Sequence, residues 1–317
     1  MSLNFCTYFD KNYLSKFLVL KDSIDKLNNQ FIFFVLALDD FVIDFFGKNK
    51  IKNIQLISLK DLEKEYRDLI VAKNNRSLIE YYFTLSPFLP RYIFKKFKCN
   101  SITYVDSDFF FFKDPAKLFL QNSNSSITLI NQKSDSKYGI FNMGLIFYNF
   151  NFSETLEIIN TWSEQCLNSC SDIPDIKNNT YADQKYLDEW IIKLKNVKIL
   201  YPEFSVLSPW DSNSLIEYNI DNIFAFHFHG FEINNNFFNT GFSNYNKKPS
   251  KIILHKIYYP YTKKIYSKNM EYNLMNKSIR NYSSDNFIKL RKLKSIIKKF
   301  LYQDFYKFNQ NSNLCMY

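Results

Sequence analysis

The sequence has no apolar stretch that approaches the roughly 18 uncharged residues of a membrane-spanning helix. Its first residues, Met1-Ser2-Leu3-Asn4-Phe5, also lack the charged region and the following apolar run of a signal peptide. No internal repeat is evident along the 317 residues. We therefore expect a cytoplasmic protein that is soluble or peripheral at the inner face of a membrane.

Cysteine is sparse, and its spacing does not form a zinc motif. Only two cysteines are close in sequence, four residues apart, and the second pair that a zinc site needs is missing. An odd and scattered set indicates reduced thiols in a cytosolic protein. The cysteines are Cys6, Cys99, Cys166, Cys170 and Cys315.

Glycine and histidine are rare, at 5 and 3 residues, whereas phenylalanine and tyrosine number 34 and 23. Together with abundant lysine, asparagine and isoleucine, these counts indicate a biased, A+T-rich coding background. Runs of the abundant residues are therefore weak signals, and aspartate pairs, histidine, glycine and tryptophan are stronger ones. The hydrophobic content of 46% suffices for a sizeable core in one large or two ordinary domains.

The net charge is +10, from 41 basic and 31 acidic residues. Such an excess favours anionic partners, which include phosphorylated substrates, an anionic bilayer surface and nucleic acid. No recognised DNA- or RNA-binding signature accompanies the charge, so nucleic acid is not an expected partner.

The first half of the chain alternates between strand-like and helix-like segments. This alternation predicts an α/β fold, a sheet with helices on both faces that binds ligands at the carboxyl ends of its strands. The predicted strands are 3–9, 31–38, 53–57 and 101–105, and the predicted helices are 13–27, 78–97 and 115–121, with the second disturbed at its prolines. Later residues predict strands 144–149, 197–200 and 223–229 and helices 152–169 and 182–193.

Two carboxylates interrupt the apolar run Tyr104-Val105-Asp106-Ser107-Asp108-Phe109-Phe110-Phe111-Phe112. On one strand, Asp106 and Asp108 would point to the same face, where they would repel each other unless a cation joined them. Oxygen ligands suit Mg²⁺ or Mn²⁺, which proteins hold with one or two carboxylates and substrate phosphates. The alternative is that one aspartate caps a turn while the other is solvated at a strand end.

A pair of histidines ends the strand-like run Ile223-Phe224-Ala225-Phe226. His227 and His229 are two residues apart, so both would face one side of that strand. We predict that one of them completes the metal site begun by the aspartates, and that Gly230 lets the backbone approach phosphates closely. The alternative is a pair of histidines that are simply packed or hydrogen-bonded.

Three further segments carry weaker signals. Asn142 precedes an apolar strand and could read sugar hydroxyls, although asparagine is also an ordinary turn residue. Asp183 and Gln184 open a predicted helix, where Asp183 serves as a cap or lies at the edge of the pocket. Trp210 offers a platform for an apolar sugar face, or else belongs to the core.

The segment 285–305 is predicted to form a basic amphipathic helix at the C-terminus. Its apolar residues recur at helical spacing, and no acidic residue separates its basic ones. Such a helix can lie on an anionic bilayer, or it can pack its apolar stripe on the domain and leave its lysines in water. We place the catalytic domain in 1–260 and a helical extension, able to associate with a membrane, in 261–317.

Taken together, these segments resemble the nucleotide-sugar-dependent glycosyltransferases of the GT-A fold, in a bacterial group related to glycogenin and the lipo-oligosaccharide galactosyltransferases. The resemblance implies a Rossmann-like mixed sheet flanked by helices. It is carried, in order, by five segments that span about 230 residues. These segments are Phe5-Cys6-Thr7-Tyr8-Phe9, Asp106-Ser107-Asp108, Phe141-Asn142-Met143-Gly144, Ala182-Asp183-Gln184 and His227-Phe228-His229-Gly230.

The resemblance also implies a role for each matched residue. By this resemblance, the residues next to the nucleotide are Thr7 and Tyr8, which would contact the base or ribose. Asp106 would contact the ribose and the metal, and Arg76 would contact a phosphate. Asp108 and His227 would bind the metal directly, and His229 could take the place of His227. Asn142 would hydrogen-bond the donor sugar, and Asp183 and Gln184 would lie where the donor sugar meets the acceptor. The lysine that follows the histidine motif in the relatives is absent, because Glu232 and Ile233 stand there.

The resulting hypothesis is a Mn²⁺- or Mg²⁺-dependent transfer of a sugar from a nucleotide-sugar to a hydroxyl acceptor. The resemblance favours a UDP-hexose donor, retention at the anomeric carbon, and an acceptor in a surface polysaccharide, a lipopolysaccharide or a lipid-linked glycan. One competitor is a phosphohydrolase with the same Asp-x-Asp pattern, but Phe110 occupies the place where that class needs Thr or Val. A second competitor is a non-catalytic sugar- or membrane-binding relative of the same fold.

Overall fold

A computed structural model describes residues 3–28, 30–120, 124–132, 136–202, 206–234, 237–274 and 286–308. The chain forms two compact units. The first comprises Met1–Asp10, Lys26–Ser107 and Asp114–Phe204, and the second comprises Lys11–Asp25, Asp108–Lys113 and Ser205–Tyr317. Cys315 lies outside the described residues, and the described cysteines are free thiols.

The secondary structure alternates strands and helices through the first half, as predicted. The strands are β1 (Leu3–Phe9), β2 (Phe31–Ala37), β3 (Ile54–Ser58), β4 (Ser101–Val105), β5 (Phe109–Phe111), β6 (Ile127–Asn131), β7 (Phe141–Asn149), β8 (Val197–Leu200), β9 (Val206–Leu207), β10 (Ala225–His227), β11 (Glu232–Asn234), β12 (Phe237–Asn239) and β13 (Tyr306–Lys307). The helices are α1 (Leu14–Asp25), α2 (Asp40–Lys48), α3 (Leu59–Glu65), α4 (Asp68–Asn74), α5 (Leu78–Thr84), α6 (Phe88–Phe97), α7 (Pro115–Leu120), α8 (Ser153–Asn168), α9 (Trp190–Lys193), α10 (Asn213–Asn219), α11 (Lys251–Ile253), α12 (Tyr259–Glu271) and α13 (Asn286–Leu301).

The first unit is built on a seven-stranded mixed sheet in the order β3-β2-β1-β4-β7-β6-β8. Strands β3, β2, β1 and β4 are parallel, β7 is antiparallel to both β4 and β6, and β8 is parallel to β6. The apolar runs of β2 and β7 are almost wholly buried, as expected for strands covered on both faces. This mixed sheet with flanking helices confirms the predicted α/β class.

The second unit contains two three-stranded sheets, in the orders β5-β10-β9 and β11-β12-β13. Strand β10 lies between β5, to which it is antiparallel, and β9, to which it is parallel. The strand β5 that follows the aspartate pair is therefore hydrogen-bonded to β10. An aromatic core supports these strands, with Phe226, Phe228, Tyr258 and Tyr261 all buried. The ring of Phe228 stacks on that of Tyr261 at 3.6 Å between centroids.

Three predicted elements that carry the aspartate pair, the histidine pair and Asp183 differ from the observed ones. Tyr104–Phe112 is not one strand, because β4 ends at Val105 and the chain turns through Asp106-Ser107-Asp108 before β5 begins in another sheet. The predicted strand 223–229 is shortened to β10, so His229 lies beyond the strand. The predicted helix 182–193 begins only at Lys185, as a 3₁₀ turn that leads into α9, because Ala182 has a left-handed backbone with φ of 45°.

The C-terminal helix is present as α13. The predicted domain boundary after residue 260 falls inside α12. Among the described residues, no helix has the length and apolarity to cross a membrane.

Candidate active site

The aspartate pair lies in the turn between β4 and β5. The backbone N–H of Asp106 donates to the carbonyl oxygen of Gly144 at 2.9 Å, which ends the ladder with β7. Two residues later, the carbonyl oxygen of Asp108 accepts from the N–H of Phe228 at 2.9 Å. The backbone on both sides of the pair is therefore fixed by strand-like hydrogen bonds, although the pair itself is outside any strand.

Asp108 and His227 form a buried side-chain contact within the second unit. Nε2 of His227 lies 3.1 Å from Oδ1 of Asp108, and their side chains are only 4% and 6% exposed. The imidazole also stacks on Phe109, with 4.5 Å between ring centroids. Strand β10 places His227 directly opposite Phe109 in β5, so the register of this small sheet brings the two side chains together.

Asp106 joins this pair to form a group of three possible metal ligands. One oxygen of each carboxylate and one nitrogen of His227 all lie within 4.8 Å of one another. Two carboxylates and one imidazole supply oxygen and nitrogen donors that divalent ions accept. The donor set therefore fits a single divalent cation.

Two basic neighbours favour the ionised form of Asp108. Burial opposes its ionisation, but the positive charges of His227 and Lys16 lower the pKa of Asp108 well below its usual value. Nζ of Lys16 lies 3.7 Å from Oδ2 of Asp108, on the opposite oxygen from His227. Asp108 is therefore a carboxylate at neutral pH, the form in which it can bind a metal.

His229 lies beside this pair within an aromatic group. Its ring centroid is 5.5 Å from that of His227 and 5.9 Å from that of Trp210. Desolvation and the charge of His227 lower the pKa of His229. The residue as a whole is exposed to solvent. Its imidazole is therefore neutral at pH 7 and able to bind a metal.

Trp210 does not belong to the buried core, which was the alternative to a sugar platform. It is half-buried and lies with its centroid 5.5 Å from those of both His227 and Tyr245. Trp210 and Tyr245 thus form an aromatic surface next to the two histidines.

The loop after His227 is packed against a second turn. Gly230 has φ of 76°, and a Cβ there would lie 2.6 Å from Nδ2 of Asn244. Gly241 has φ of 86°, and a Cβ there would lie 2.2 Å from the carbonyl oxygen of His229. The space that a side chain at Gly230 would need is occupied by Gly241 and Asn244, and the approach of its backbone to phosphates stays a prediction. Its glycine requirement is explained by this intramolecular contact.

Asp304 holds the second of these turns in place. Its fully buried carboxylate accepts hydrogen bonds from the backbone N–H groups of Thr240, Gly241 and Ser243 at 2.8, 3.2 and 3.3 Å. It also accepts from the hydroxyls of Thr240 and Ser243 at 2.7 and 2.8 Å. A residue that follows α13 therefore fixes the turn on which the histidine loop is packed.

A second polar group lies within the first unit, at the carboxyl ends of β1 and β4. The Tyr104 hydroxyl donates to Oδ1 of Asp106 at 2.7 Å, which orients that carboxylate. The hydroxyls of Tyr8 and Ser86 are 3.0 Å apart. Burial, together with the charges of Asp183 and Asp106, raises the pKa of Tyr8 well above its usual value, so its hydroxyl remains protonated.

Asp183 is a buried carboxyl group of the first unit whose pKa is strongly raised. It is 3% exposed, and its Oδ2 has no hydrogen-bond partner in the described part of the chain. The pKa of Asp183 is raised to about 7, chiefly by burial. A hydrogen bond from Ser86 opposes this rise, and the negative charge of Asp106 adds to it. The preceding Ala182 has a left-handed backbone, a strain that is often found at functional positions.

The remaining predicted sugar and nucleotide residues are also in the first unit. Asn142 is 3% exposed within β7, and its Oδ1 accepts from the N–H of Gly144 at 2.8 Å. Nε2 of Gln184 donates to the carbonyl oxygen of Tyr138 at 2.6 Å. Thr7 is fully buried in β1, and its hydroxyl has no partner among the residues that are described. Asn142 is thus a strand residue and not a turn residue.

Arg76, whose contact with a phosphate stays a prediction, makes several hydrogen bonds within the first unit. Its guanidinium donates to the Thr84 hydroxyl and the Cys166 carbonyl oxygen, each at 2.5 Å, and also to the carbonyl oxygen of Leu167. These bonds tie α5 to the last turn of α8. Arg76 therefore serves the packing of the first unit.

The sequence analysis did not identify several residues that belong to these groups. Lys16, Tyr104, Ser86, Tyr245 and Asp304 belong to abundant residue types and stand in no motif. Asp304 lies in the segment that was predicted as an extension, and only the fold brings it to the turn at Gly241. The buried side of α1 also contains Lys21 and Ser23, so the polarity pattern of the helix does not single out Lys16.

No protein-family model matches the chain. It is 25% identical over 207 residues to the uncharacterized protein YfnD of Bacillus subtilis strain 168, across 63% of this chain and 66% of that protein. It is 28% identical over 202 residues to the uncharacterized protein YfnF of the same strain, across 59% and 65% of the two chains. The alignments thus span slightly less than two thirds of those relatives.

Solved structures similar to this chain include those of three glycosyltransferases. Mouse xyloside xylosyltransferase 1 in its apo form gives a TM-score of 0.49 at 11% identity, over 73% of this chain and 98% of that one. The galactosyltransferase LgtC, in complex with donor and acceptor sugar analogues, gives 0.46 at 13% identity, over 72% and 87%. The glycosyltransferase GlyE of Streptococcus pneumoniae TIGR4 gives 0.48 at 13% identity, over 99% and 66%. Since these TM-scores are below 0.5, the functional argument depends on the residues of this chain.

Proposed function

We propose that this protein is a GT-A glycosyltransferase that binds a nucleoside-diphosphate sugar together with a divalent metal ion. The observation that carries the proposal is the buried pair of Asp108 and His227, 3.1 Å apart, with a carboxylate oxygen of Asp106 inside the same 4.8 Å group. Buried carboxylates are costly unless they are paired or coordinate a metal. A donor set of this kind at the carboxyl end of a parallel strand is suited to a metal–diphosphate complex.

Asp106, Asp108 and His227 would hold the ion, with His229 next to them. When bound, Mn²⁺ or Mg²⁺ would neutralise negative charge on the departing diphosphate, a contribution worth several kcal/mol. The chain prepares this site in advance, because Tyr104 orients Asp106 and strand β10 fixes His227. Preorganised groups of this kind need no rearrangement when the substrate binds.

The donor sugar is proposed to meet Asp183, Gln184 and Asn142. Burial makes the Asp183 carboxyl group exchange its proton near pH 7, so it can donate to or accept from a sugar hydroxyl. Among the described residues, Oδ2 of Asp183 and the hydroxyl of Thr7 have no hydrogen-bond partner, and a bound nucleotide-sugar would satisfy both. We propose a UDP-hexose donor and a retaining transfer to a hydroxyl of a bacterial surface glycan, a lipopolysaccharide or a lipid-linked glycan.

The binding of UDP should depend on a divalent ion. We expect isothermal titration to detect UDP binding in Mn²⁺ or Mg²⁺, and the affinity to fall at least about a hundredfold in EDTA, because the diphosphate loses a metal contact worth several kcal/mol. Uridine, which lacks the diphosphate, should bind equally with and without the ion. Equal UDP affinity in Mn²⁺ and in EDTA would count against the proposal.

The exposed face of α13 supports a second proposal, that this helix binds an anionic membrane surface. The described apolar side chains of its last turns are exposed by 47–73%. These residues are Leu293, Ile296, Ile297, Phe300 and Leu301. Lys294 is exposed beside them, whereas Lys299 pairs with Glu232 at 2.5 Å. An apolar face with adjacent positive charge is the pattern of a helix that lies in a bilayer interface.

Loss of that apolar face should weaken membrane binding. We expect the double variant Phe300→Ser/Leu301→Ser to bind vesicles of phosphatidylcholine and phosphatidylglycerol about tenfold or more weakly than the parent in a sedimentation assay, because two large apolar side chains no longer enter the interface. Ile192→Ser removes an apolar side chain of α9 that is 84% exposed, and it serves as the control. Equal sedimentation of all three proteins would exclude this membrane contact.

A further inference from the structure

Lys16 is a buried lysine beside Asp108 that belongs to no motif of the sequence. It lies on α1 and is only 8% exposed, whereas lysine is almost never buried unless it is paired. Its ammonium group is 4.2 Å from the centroid of the Tyr13 ring and 3.7 Å from Oδ2 of Asp108. Both contacts stabilise the positive charge, so the fold holds an ammonium group directly against a proposed metal ligand.

The contact between Lys16 and Asp108 is electrostatic and not a hydrogen bond. At 3.7 Å, the separation exceeds the 2.7–3.2 Å range of N–H···O hydrogen bonds. By contrast, His227 lies at hydrogen-bond distance from the other oxygen of the same carboxylate. A lysine has three donors on a flexible four-carbon stem, so its ammonium group can move to a new acceptor without movement of α1.

A divalent ion on Asp108 would meet the charge of Lys16 at short range. Repulsion between the two cations weakens the binding of the metal when it enters alone. A diphosphate reverses this effect, because its negative charge attracts both cations and its oxygens accept hydrogen bonds from an ammonium group. Metal and diphosphate would therefore bind cooperatively at this site, with Lys16 as the group that couples them.

We propose that Lys16 is a diphosphate-binding residue, whose ammonium group leaves Asp108 when a metal ion binds there and donates to an oxygen of the nucleotide diphosphate. The proposal rests on the proposed function, and it names a residue from α1 that lies outside every motif of the sequence. It makes Lys16 a neutralising partner of Asp108 before the ligands bind and a ligand of the diphosphate afterwards.

The proposal predicts opposite changes in two affinities. Lys16→Met keeps the apolar stem and removes the charge, so Mn²⁺ alone should bind about tenfold more tightly, while UDP at saturating Mn²⁺ should bind about tenfold more weakly. Free Mn²⁺ is measured by electron paramagnetic resonance and UDP by isothermal titration, both with the full chain. Lys16→Arg keeps the charge and should retain most of the cooperativity. If Lys16→Met does not fold, Lys16→Gln provides the same test.

Lys21→Met is the matched control, because Lys21 is a buried lysine of the same helix whose ion-pair partner is Asp25. It should leave both affinities unchanged. Unchanged affinities in Lys16→Met, or a parallel loss of both with a lower melting temperature, would overturn the proposal and leave Lys16 a packing residue. A parent protein that binds UDP without any metal dependence would overturn the proposed function and this inference with it. The parent and the variant thus test the two claims separately.

Discussion

Asp108→Asn is expected to raise the Kd of the Mn²⁺–UDP complex by at least about a hundredfold, because the metal loses a charged ligand worth several kcal/mol. The substitution preserves the shape of a side chain that is only 6% exposed, so the loss reflects charge and not packing. The measurement is UDP titration at fixed Mn²⁺, with circular dichroism to confirm the fold. Asp221→Asn, an exposed carboxylate of the same unit, should leave the affinity unchanged.

The same variant should show a distinct pH dependence of stability. The pKa of Asp108 is lowered in the folded protein, so its ionised form contributes stability that is present above the unfolded-state value of about 4. This contribution is lost as the pH falls from there through the folded pKa. Urea unfolding in EDTA should therefore show a shallower loss of stability below about pH 4 for Asp108→Asn than for the parent. Identical pH profiles and unchanged metal dependence would contradict the role given to Asp108.

Asp304→Ala is expected to reduce the free energy of unfolding by about 3–5 kcal/mol, because it leaves buried donors without their acceptor. The carboxylate accepts from three backbone N–H groups and two hydroxyls in a fully buried site. Urea denaturation monitored by tryptophan fluorescence provides the measurement.

The control for Asp304 is Asp221→Ala, which removes an ion pair with Lys256 whose side chains are 79% and 47% exposed. A surface pair contributes at most about 1 kcal/mol, so the two variants should differ clearly. Similar losses in both would mean that the turn at Thr240–Ser243 is held by its own backbone. In that case Asp304 would have no part in fixing the histidine loop.

Local sequence signals predicted the first sheet well. The alternating runs of β1 to β4 follow from the strand propensity of their β-branched and aromatic residues. The disturbance expected at Pro87 is a real break between α5 and α6. Each of these signals operates over a few residues, so no tertiary information is needed to detect it.

The elements that the sequence did not predict are those where tertiary contacts override local preference. The apolar run after Tyr104 has the composition of one long strand, yet its phenylalanines pair with β10 in a separate sheet. The left-handed backbone at Ala182 has no local cause, since alanine favours a helix. The N–H of Ala182 donates instead to the carbonyl oxygen of Ser171, a contact that spacing does not disclose.

The candidate site shows the same division. Asp106 and Asp108 are visible as a pair because two carboxylates within an apolar run are unusual, and the rarity of histidine makes His227 conspicuous. Lys16 and Asp304 are invisible at that level, because each is one residue of a common type that becomes informative only through burial. Charged residues that neutralise the aspartates of a motif, such as Lys16, are therefore harder to predict from the sequence than the motif itself.

The most direct measurement is the position of Mn²⁺ in crystals grown with Mn²⁺ and UDP, read from the anomalous difference map at the manganese edge. The account predicts one strong peak in contact with carboxylate oxygens of Asp106 and Asp108, with a nitrogen of His227 and with the diphosphate. A peak elsewhere, or UDP bound while His227 still donates to Asp108 with no ion between them, would contradict it.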